Sequence, residues 1–224
     1  MKKTILLFSA LLIFGNLSAQ DKAALVNPII GTNGMGHTFP GACVPFGLVQ
    51  LSPDTDTIPH NVDGKYQPRA YEYCAGYQHK DSSIVGFSHT HFSGTGHSDL
   101  GDILIMPATG ELKLNPGTAT DPDGGYRSRF SHDTEVSRPG YYEVMLADYG
   151  VKAQLTATKR VGVHKYTFPK EAKNQRIILD MIHGIYNYDG KVLWTNIRVE
   201  NDTLVTGYRI TVSYTHLRAH ETEA

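Results

Sequence analysis

The feature that most constrains the fold is a series of short segments in which apolar and polar residues alternate. The alternation is clear in Val161-Gly-Val-His-Lys-Tyr-Thr-Phe, and a period of two turns one face of a strand toward a core. Turn signals such as Asp123-Gly124-Gly125 and Asp189-Gly190 separate the segments. The pattern predicts strands at residues 44–51, 84–87, 103–107, 126–132, 141–147, 152–158, 161–168, 176–181, 191–199 and 203–209.

These segments predict an all-β fold. Residues 20–211 show no convincing helical period with caps, and the strands recur at a spacing of about ten residues, which is typical of a β-sandwich or a barrel. The same residues contain no internal repeat and no obvious linker, and their length suits one domain with a real core. We therefore predict a single domain of many antiparallel strands.

The first 19 residues predict a secretory signal peptide. Lys2 and Lys3 precede a short apolar run at residues 5–14, and Leu17-Ser18-Ala19 offers small residues for cleavage. The run is too short and wrongly flanked for a membrane anchor. We expect a protein that is secreted or periplasmic after cleavage, with no membrane anchor.

Residues 212–224 continue no pattern that the preceding chain establishes. Their peptide corresponds to a translation of a common sequencing adapter, so we expect this segment not to be native. The same logic excludes expression scars from fold reasoning. On this hypothesis, residues 20–211 are the N-terminal part of a longer protein.

Composition excludes some partners and leaves one redox question open. The formal net charge of −1 implies no basic face for nucleic acid. The 13 tyrosines beside a single tryptophan favour, weakly, a protein that handles sugars. Export would permit a disulfide between Cys43 and Cys74, but the pair could equally be two small apolar residues.

The segment most suggestive of chemistry is residues 86–102, Gly-Phe-Ser-His-Thr-His-Phe-Ser-Gly-Thr-Gly-His-Ser-Asp-Leu-Gly-Asp. A polar, glycine-rich run between apolar strands is typical of a site loop on a rigid scaffold. His89 and His91 would share one side of an extended segment and could chelate a metal with His97 or Asp99. The alternative, which we favour, is that these histidines hydrogen-bond the backbone or a sugar hydroxyl.

The acidic residues and the single tryptophan also have two interpretations. Asp99 and Asp102 could act as an acid/base pair, but the favoured role is to fix the glycine loop by accepting backbone N–H bonds. Asp180 lies in an apolar strand, and we favour a buried, hydrogen-bonded structural role. Trp194 could line a sugar platform or lie in the core.

Three long, irregular loops are predicted to cluster at one edge of the fold. They cover residues 31–41, 54–76 and 88–101 and are rich in glycine and in proline. Loops of this length inside a compact domain are usually functional or covered by a partner.

Several motifs in order resemble one family. They are Asn27-Pro-Ile-Ile-Gly-Thr32, Phe39-Pro-Gly-Ala42, Pro45-Phe-Gly47, Tyr73-Cys-Ala-Gly-Tyr77, Gly86-Phe-Ser-His-Thr-His91, Leu100-Gly-Asp102 and Gly207-Tyr-Arg209. Over residues 24–209 the chain resembles the N-terminal domain of glycoside hydrolase family 92, the exo-acting α-mannosidases. The resemblance implies an N-terminal β-sandwich packed on a C-terminal (α/α)6 barrel, and this sequence stops before that barrel.

The resemblance also implies an activity and a site. Family members are calcium-dependent and invert configuration, with the acid, the base and most or all calcium contacts supplied by the barrel. No catalytic or metal-binding residue is therefore carried over. The resemblance implies that a sandwich edge lines the cleft for mannose-containing glycans: Phe39, Pro40, Gly41, Cys43, Tyr71, Tyr73, Cys74, His89, His91 and Gly94.

We therefore expect the N-terminal domain of a secreted α-mannosidase, inactive without the catalytic domain of the same chain. One alternative is a stand-alone carbohydrate-binding β-sandwich. A second is a small histidine metalloenzyme, which would hold stoichiometric zinc or iron.

Overall fold

The computed structural model describes residues 22–59, 61–94, 99–186 and 188–212. The predicted signal peptide, His97 and all but the first residue of segment 212–224 lie outside the described residues. The described strands are β1 (Ala42–Cys43), β2 (Gln50–Asp54), β3 (Asn61–Val62), β4 (Lys65–Tyr66), β5 (Ser83–Ile84), β6 (Gly86–Ser88), β7 (Leu104–Ala108), β8 (Ser128–Arg129), β9 (Val136–Arg138), β10 (Tyr141–Leu146), β11 (Val151–Ala157), β12 (Gly162–Thr167), β13 (Arg176–Asp180), β14 (Val192–Asn201) and β15 (Leu204–Thr211).

Two antiparallel sheets form the sandwich that was predicted. One sheet has the order β1-β2-β6-β7-β13 and the other has the order β12-β11-β10-β9. Their inner faces meet in one apolar core, to which β2, β6 and β7 contribute from the first sheet and β10 and β11 from the second. Three further pairs, β14-β15, β3-β4 and β5-β8, complete the described strands.

Strand β11 shows how the sequence pattern produces this packing. Val151, Ala153 and Leu155 point into the core, while Lys152 and Gln154 between them are partly exposed. The strand pairs with β10 in unbroken antiparallel register over six residue pairs, so every second side chain of both strands reaches the same core. Because the side chains of these strands alternate between the core and the solvent, the second sheet could be predicted from the sequence.

The predicted strand at residues 44–51 is wrong. The chain instead makes a turn after β1, in which the Gly47 N–H donates to the Val44 carbonyl at 2.9 Å. Pro45 lacks an N–H for a ladder, and Phe46 adopts a φ of 57° with its side chain fully exposed. The strand β2 therefore begins only at Gln50.

The predicted strand at residues 126–132 is also too long. Only Ser128–Arg129 forms a strand, and a 3-10 turn occupies His132–Thr134. The Tyr126 N–H donates to the Asn115 carbonyl instead of to a ladder. Loop contacts have replaced strand pairing at both ends of this segment.

The β14-β15 hairpin projects apolar side chains into solvent. Trp194 is 60% exposed, which corrects the core alternative for this residue. The neighbouring Leu193, Ile197 and Val199 are also exposed. An extended apolar surface of this kind marks an interaction site more often than a free surface.

Within the described ranges the helical segments are 3-10 turns, and there is no α-helix. The (α/α)6 barrel that the resemblance implies is therefore not among the described residues. In the same part of the chain, no helix has the length and apolar character needed to cross a bilayer.

Replacing Leu155 by alanine should lower the free energy of unfolding by about 2–5 kcal/mol, because a fully buried side chain would leave a cavity between the two sheets. Urea unfolding followed by circular dichroism measures the change. Val163→Ala is the matched control on the adjacent strand, where the side chain is 46% exposed, and it should change stability by no more than about 0.5 kcal/mol. Equal losses in both variants would contradict the assigned core.

Candidate functional site

The three long loops meet at one place, as the sequence predicts. The Gly94 N–H from the third loop donates to the His37 carbonyl of the first at 2.6 Å. The His37 ring meets Tyr71 of the second loop edge-on, with 4.9 Å between ring centroids. One residue of the first loop thus contacts both of the others.

Gln78 ties the first loop to the segment that follows the second. Its side-chain carbonyl accepts from the Gly34 N–H at 2.8 Å, and its amide donates to the Gly34 carbonyl at 3.0 Å. The next residue, His79, donates its N–H to the Thr32 carbonyl at 2.8 Å. Gln78 and Thr32 are buried, and Gly34 and His79 are partly buried, so these bonds hold the first loop against the body of the domain.

Beneath the loops lies a buried carboxylate between two histidines. Asp54, the last residue of β2, places Oδ1 2.8 Å from His91 Nε2 and Oδ2 2.8 Å from His183 Nε2. The side chains of all three are at most 2% exposed. A buried carboxylate is stable only when its oxygens are paired in this way.

The hydrogen bonds of His91 orient its ring. Its Nδ1 lies 2.7 Å from the Gln50 carbonyl, which only accepts, so Nδ1 donates to it. Its Nε2 lies 2.8 Å from the Asp54 carboxylate and 3.0 Å from the Ser88 hydroxyl. Burial alone would raise the pKa of the Asp54 carboxyl, but the charge of His91 and the hydrogen bonds from His183 and His91 hold that pKa well below its usual range.

Gly76 is required where the second loop crosses this pair. Its φ is +78°, and a Cβ at this position would lie 2.0 Å from Asp54 Oδ1. Only glycine combines the left-handed backbone with this close approach. The Thr55 N–H completes the contact by donating to the Gly76 carbonyl at 2.9 Å.

His89 belongs to a separate, neutral chain of hydrogen bonds. Its Nδ1 donates to the Ile103 carbonyl at 2.8 Å, and its Nε2 lies 3.0 Å from His164 Nε2. The Tyr166 hydroxyl lies 2.7 Å from His164 Nδ1. The chain is satisfied when Tyr166 donates to a neutral His164, which in turn donates to a neutral His89.

Burial favours these neutral forms. Burial, followed by the proximity of the His89 imidazole, lowers the pKa of His164 to about 3. Burial also lowers the pKa of His89, although its bond to Ile103 acts in the opposite direction. His89 and His91 hydrogen-bond different backbone carbonyls, as the favoured interpretation predicts.

The predicted acidic residues fix the third loop and its neighbours. Asp99 accepts from the Leu100 N–H at 2.8 Å. Asp102 accepts from the Thr90 hydroxyl at 2.8 Å, and its other oxygen lies 2.8 Å from Arg209 Nη2. The predicted bond from a backbone N–H is confirmed for Asp99. Asp102 also fixes the loop, but through the Thr90 hydroxyl and Arg209 of the late motif. The cation paired with Asp99 is Lys191, whose Nζ lies 3.6 Å from the carboxylate.

Asp180 has the structural role that the sequence analysis favours. One oxygen accepts from the Tyr126 hydroxyl at 2.5 Å, and the other accepts from the N–H groups of Ile182 and His183. The second oxygen therefore shapes the turn that delivers His183 to Asp54. Cys43 and Cys74 are not joined by a disulfide, which leaves the alternative of two small apolar residues.

The residues predicted to line the cleft divide by depth. Phe39, Gly41 and Cys43 line a groove of about 570 Å3 that Phe46 and Arg138 also border. Tyr71 and Gly94 are exposed beside it. Pro40, Tyr73, Cys74 and His91 are buried, and His89 is mostly buried.

The buried members of this set support the surface instead of forming it. The Tyr73 hydroxyl donates to Asp81 at 3.0 Å, and the Phe39 ring lies 5.3 Å from the His91 ring. Tyr71 and Gly94 are the exposed members, and Phe39, Gly41 and Cys43 line the groove. Contact with a sugar stays a prediction for every member of the set.

Sequence reasoning missed the two residues that complete the buried networks, His183 and His164, as well as Asp54 itself. Each lies on a separate strand or turn, with no local motif that links it to residues 86–102. The only available signal was an acid or a histidine inside an otherwise apolar segment, since such residues are rarely buried without a partner.

The described residues do not fit a calcium site. Calcium binds six to eight oxygen ligands, whereas Asp54 and Asp102 are engaged by histidines and an arginine, respectively. Among the described residues, the group of three His, Cys, Asp or Glu side chains close enough to share an ion consists of His79, His132 and Glu135. Two of those three donors are nitrogen atoms.

Comparison with known proteins gives a consistent set of matches. The profile described as "Glycosyl hydrolase family 92 N-terminal domain" matches residues 25–222. The chain is 47% identical to a family GH92 α-mannosidase from Bacteroides thetaiotaomicron, solved in complex with mannoimidazole, with a TM-score of 0.74 over 84% of this chain and 23% of that one. It is 26% identical to a family GH92 inverting mannosidase from the same species, with a TM-score of 0.62 over 87% of this chain and 24% of that one.

A further relative is an uncharacterized secreted glycosidase from Arthroderma benhamiae. It is 30% identical over 158 residues, which are 66% of this chain and 18% of that protein. The chain thus spans no more than about a quarter of the length of these relatives.

Replacing Asp54 by asparagine should lower the free energy of unfolding by about 3–5 kcal/mol, because it removes the buried carboxylate that pairs with both His91 and His183. Chemical unfolding at pH 7 measures the loss. Asp123→Asn is the matched control, since its ion pair with Arg129 is exposed, and it should cost far less. A loss for Asp54→Asn no larger than that of the control would show that the buried pair does not stabilise the fold.

The stability of the protein should depend on His164 between pH 6.5 and pH 4. The folded-state pKa of His164 is lowered to about 3. Between pH 6.5 and pH 4 the unfolded chain therefore binds a proton at this residue, whereas the folded chain does not. Stability conferred by the neutral ring is complete above about pH 6.5 and falls as the pH falls. His164→Gln should remove up to about 1.4 kcal/mol per pH unit from the slope of unfolding free energy against pH.

The packing cost of that substitution is measured separately at pH 8, where the histidine is neutral in both states. Subtracting the difference in unfolding free energy at pH 8 leaves the part that comes from protonation of His164. Parallel curves for wild type and His164→Gln from pH 8 to pH 4 would refute a neutral buried His164.

Proposed function

The chain belongs to glycosyl hydrolase family 92 as its N-terminal domain, and on this premise we propose that it is the β-sandwich domain of a secreted, calcium-dependent, inverting α-mannosidase. The substrates would be terminal α-mannosides of glycans. The observation that carries the proposal is the convergence of three loops, with the family's motifs on them, beside one open groove.

The relatives support the choice of substrate class and compartment. Two of the matched structures are named as family GH92 mannosidases, one of them as inverting and one in complex with mannoimidazole. The relative from Arthroderma benhamiae is named as a secreted glycosidase. Together with the predicted signal peptide, these names favour an exported mannosidase.

The loop cluster suits a binding role better than a catalytic one. An inverting glycosidase needs two carboxyl groups roughly 6.5–9.5 Å apart with a water between them. Asp54 is buried between two histidines, and Asp102 is held by Arg209 and Thr90. Both carboxylates already have structural partners in the fold. We therefore propose that the acid and the base lie on a C-terminal catalytic domain of the same protein.

We propose the same origin for the calcium ligands. The described residues offer no cage of oxygen atoms, so the ion would be held by residues outside them. When bound, calcium would supply a hard positive charge that orders sugar and water oxygens. This domain would then contribute the wall of the cleft, through Phe39, Tyr71 and the backbone of Gly94.

An activity assay tests the proposal directly. The 224-residue chain should release no mannose from an α-linked mannobiose, whereas the product of the full gene should do so. A chelator should abolish the release and added calcium should restore it. Turnover by the 224-residue chain at the rate of the full product would overturn the division of roles.

A substitution in the full product tests the role of the loop surface. Tyr71→Ala should lower kcat/KM by about tenfold, the effect of losing about 1.4 kcal/mol of contact. Leu114→Ala, an exposed side chain in the chain between β7 and β8 and outside the three loops, is the control and should leave kcat/KM unchanged. Sugar binding by the chain with no hydrolysis by the full product would instead favour the stand-alone binding module.

A further inference from the structure

Three potential metal ligands converge at a place that the proposed function does not use. His79 follows the buried Tyr77-Gln78 segment, while His132 and Glu135 come from the 3-10 turn before β9. One ligand atom from each of the three side chains lies within 4.8 Å of the other two. Two distant parts of the chain thus bring two imidazoles and one carboxylate together.

The carboxylate of this group is held in place. The Glu135 side chain is 3% exposed, and it accepts from the Tyr77 hydroxyl at 2.8 Å and from the Tyr142 hydroxyl at 2.6 Å. Outer partners that orient a ligating carboxylate in this way are typical of metal sites.

The imidazoles are held as well, and they face solvent. The His132 ring lies 3.9 Å from the His79 ring, and the Phe130 ring meets it edge-on at 5.1 Å. His132 Nδ1 is 2.6 Å from Glu135 Oε2. The His132 side chain is 39% exposed, so an ion has a path from the solvent to the three donors.

An ion pair between His132 and Glu135 explains only part of this arrangement. That pair needs no third residue, yet the His79 ring lies against His132 and brings a further donor to the same space. A metal ion would use donor atoms of all three side chains at once.

We propose that His79, His132 and Glu135 bind one divalent transition-metal ion, with zinc as the best match. Zinc accepts histidine nitrogen and carboxylate oxygen, and three protein ligands leave a fourth position open for water. The nitrogen donors do not suit calcium. Binding replaces the proton between His132 Nδ1 and Glu135 with the metal ion.

Calorimetric titration of the chelator-stripped 224-residue chain with zinc chloride at pH 7.5 tests the proposal. The wild type should bind one equivalent of zinc. His132→Gln and His79→Gln should each weaken this binding by at least about tenfold, since each removes one of three ligands. Asp133→Asn is the matched control: Asp133 is exposed, adjacent and outside the ligand set, so its binding should match the wild type.

Spectroscopy of the wild type gives a readout that does not depend on the variants folding. X-ray absorption of the zinc complex should show two imidazole nitrogens and carboxylate or water oxygens around the ion. A thiolate ligand or a set of four imidazoles would place the ion elsewhere and overturn the assignment. Absence of stoichiometric binding, or equal binding by folded His132→Gln and His79→Gln, would overturn it too.

Discussion

The buried carboxylate of Asp54 is the constraint on which the loop surface depends. It joins the end of β2 to His91 from the third loop and to His183 from the turn after β13. Gly76 from the second loop lies directly against it. Because a buried charge must keep its partners, these segments are held in one arrangement around a single side chain.

A second, neutral network lies beside this charged one. His89, His164 and Tyr166 connect the third loop to the other sheet of the sandwich, while Asp102 and Arg209 connect it to β15. The two histidines of the His-Thr-His motif therefore anchor the same loop to different layers. A loop fixed from several sides presents its exposed residues with little conformational freedom, which is what a substrate-facing surface needs.

Some of this could be predicted from the sequence. The side chains of strands β10 to β12 alternate between more and less buried positions, so the positions of these strands and their inward faces follow from periodicity. Pro45 and Phe46 broke the strand predicted at residues 44–51, because a residue without an N–H and a positive φ cannot continue a ladder. Asp99 and Asp180 could be predicted as structural acids, since each accepts from backbone N–H groups close to it in the chain, whereas Asp102 pairs with Thr90 and Arg209 instead.

The sequence alone determined the all-β class, the clustering of glycine-rich loops and the likeness to one family, because these depend on local pattern and on motif order. The tertiary structure decided which residues are buried partners and which face solvent. Asp54 and His183 are 129 residues apart in the sequence, and no local signal links them. Strands β6 and β7 separate β2 from β13 in the sheet, so the pairing depends on the turn after β13, which carries His183 to Asp54.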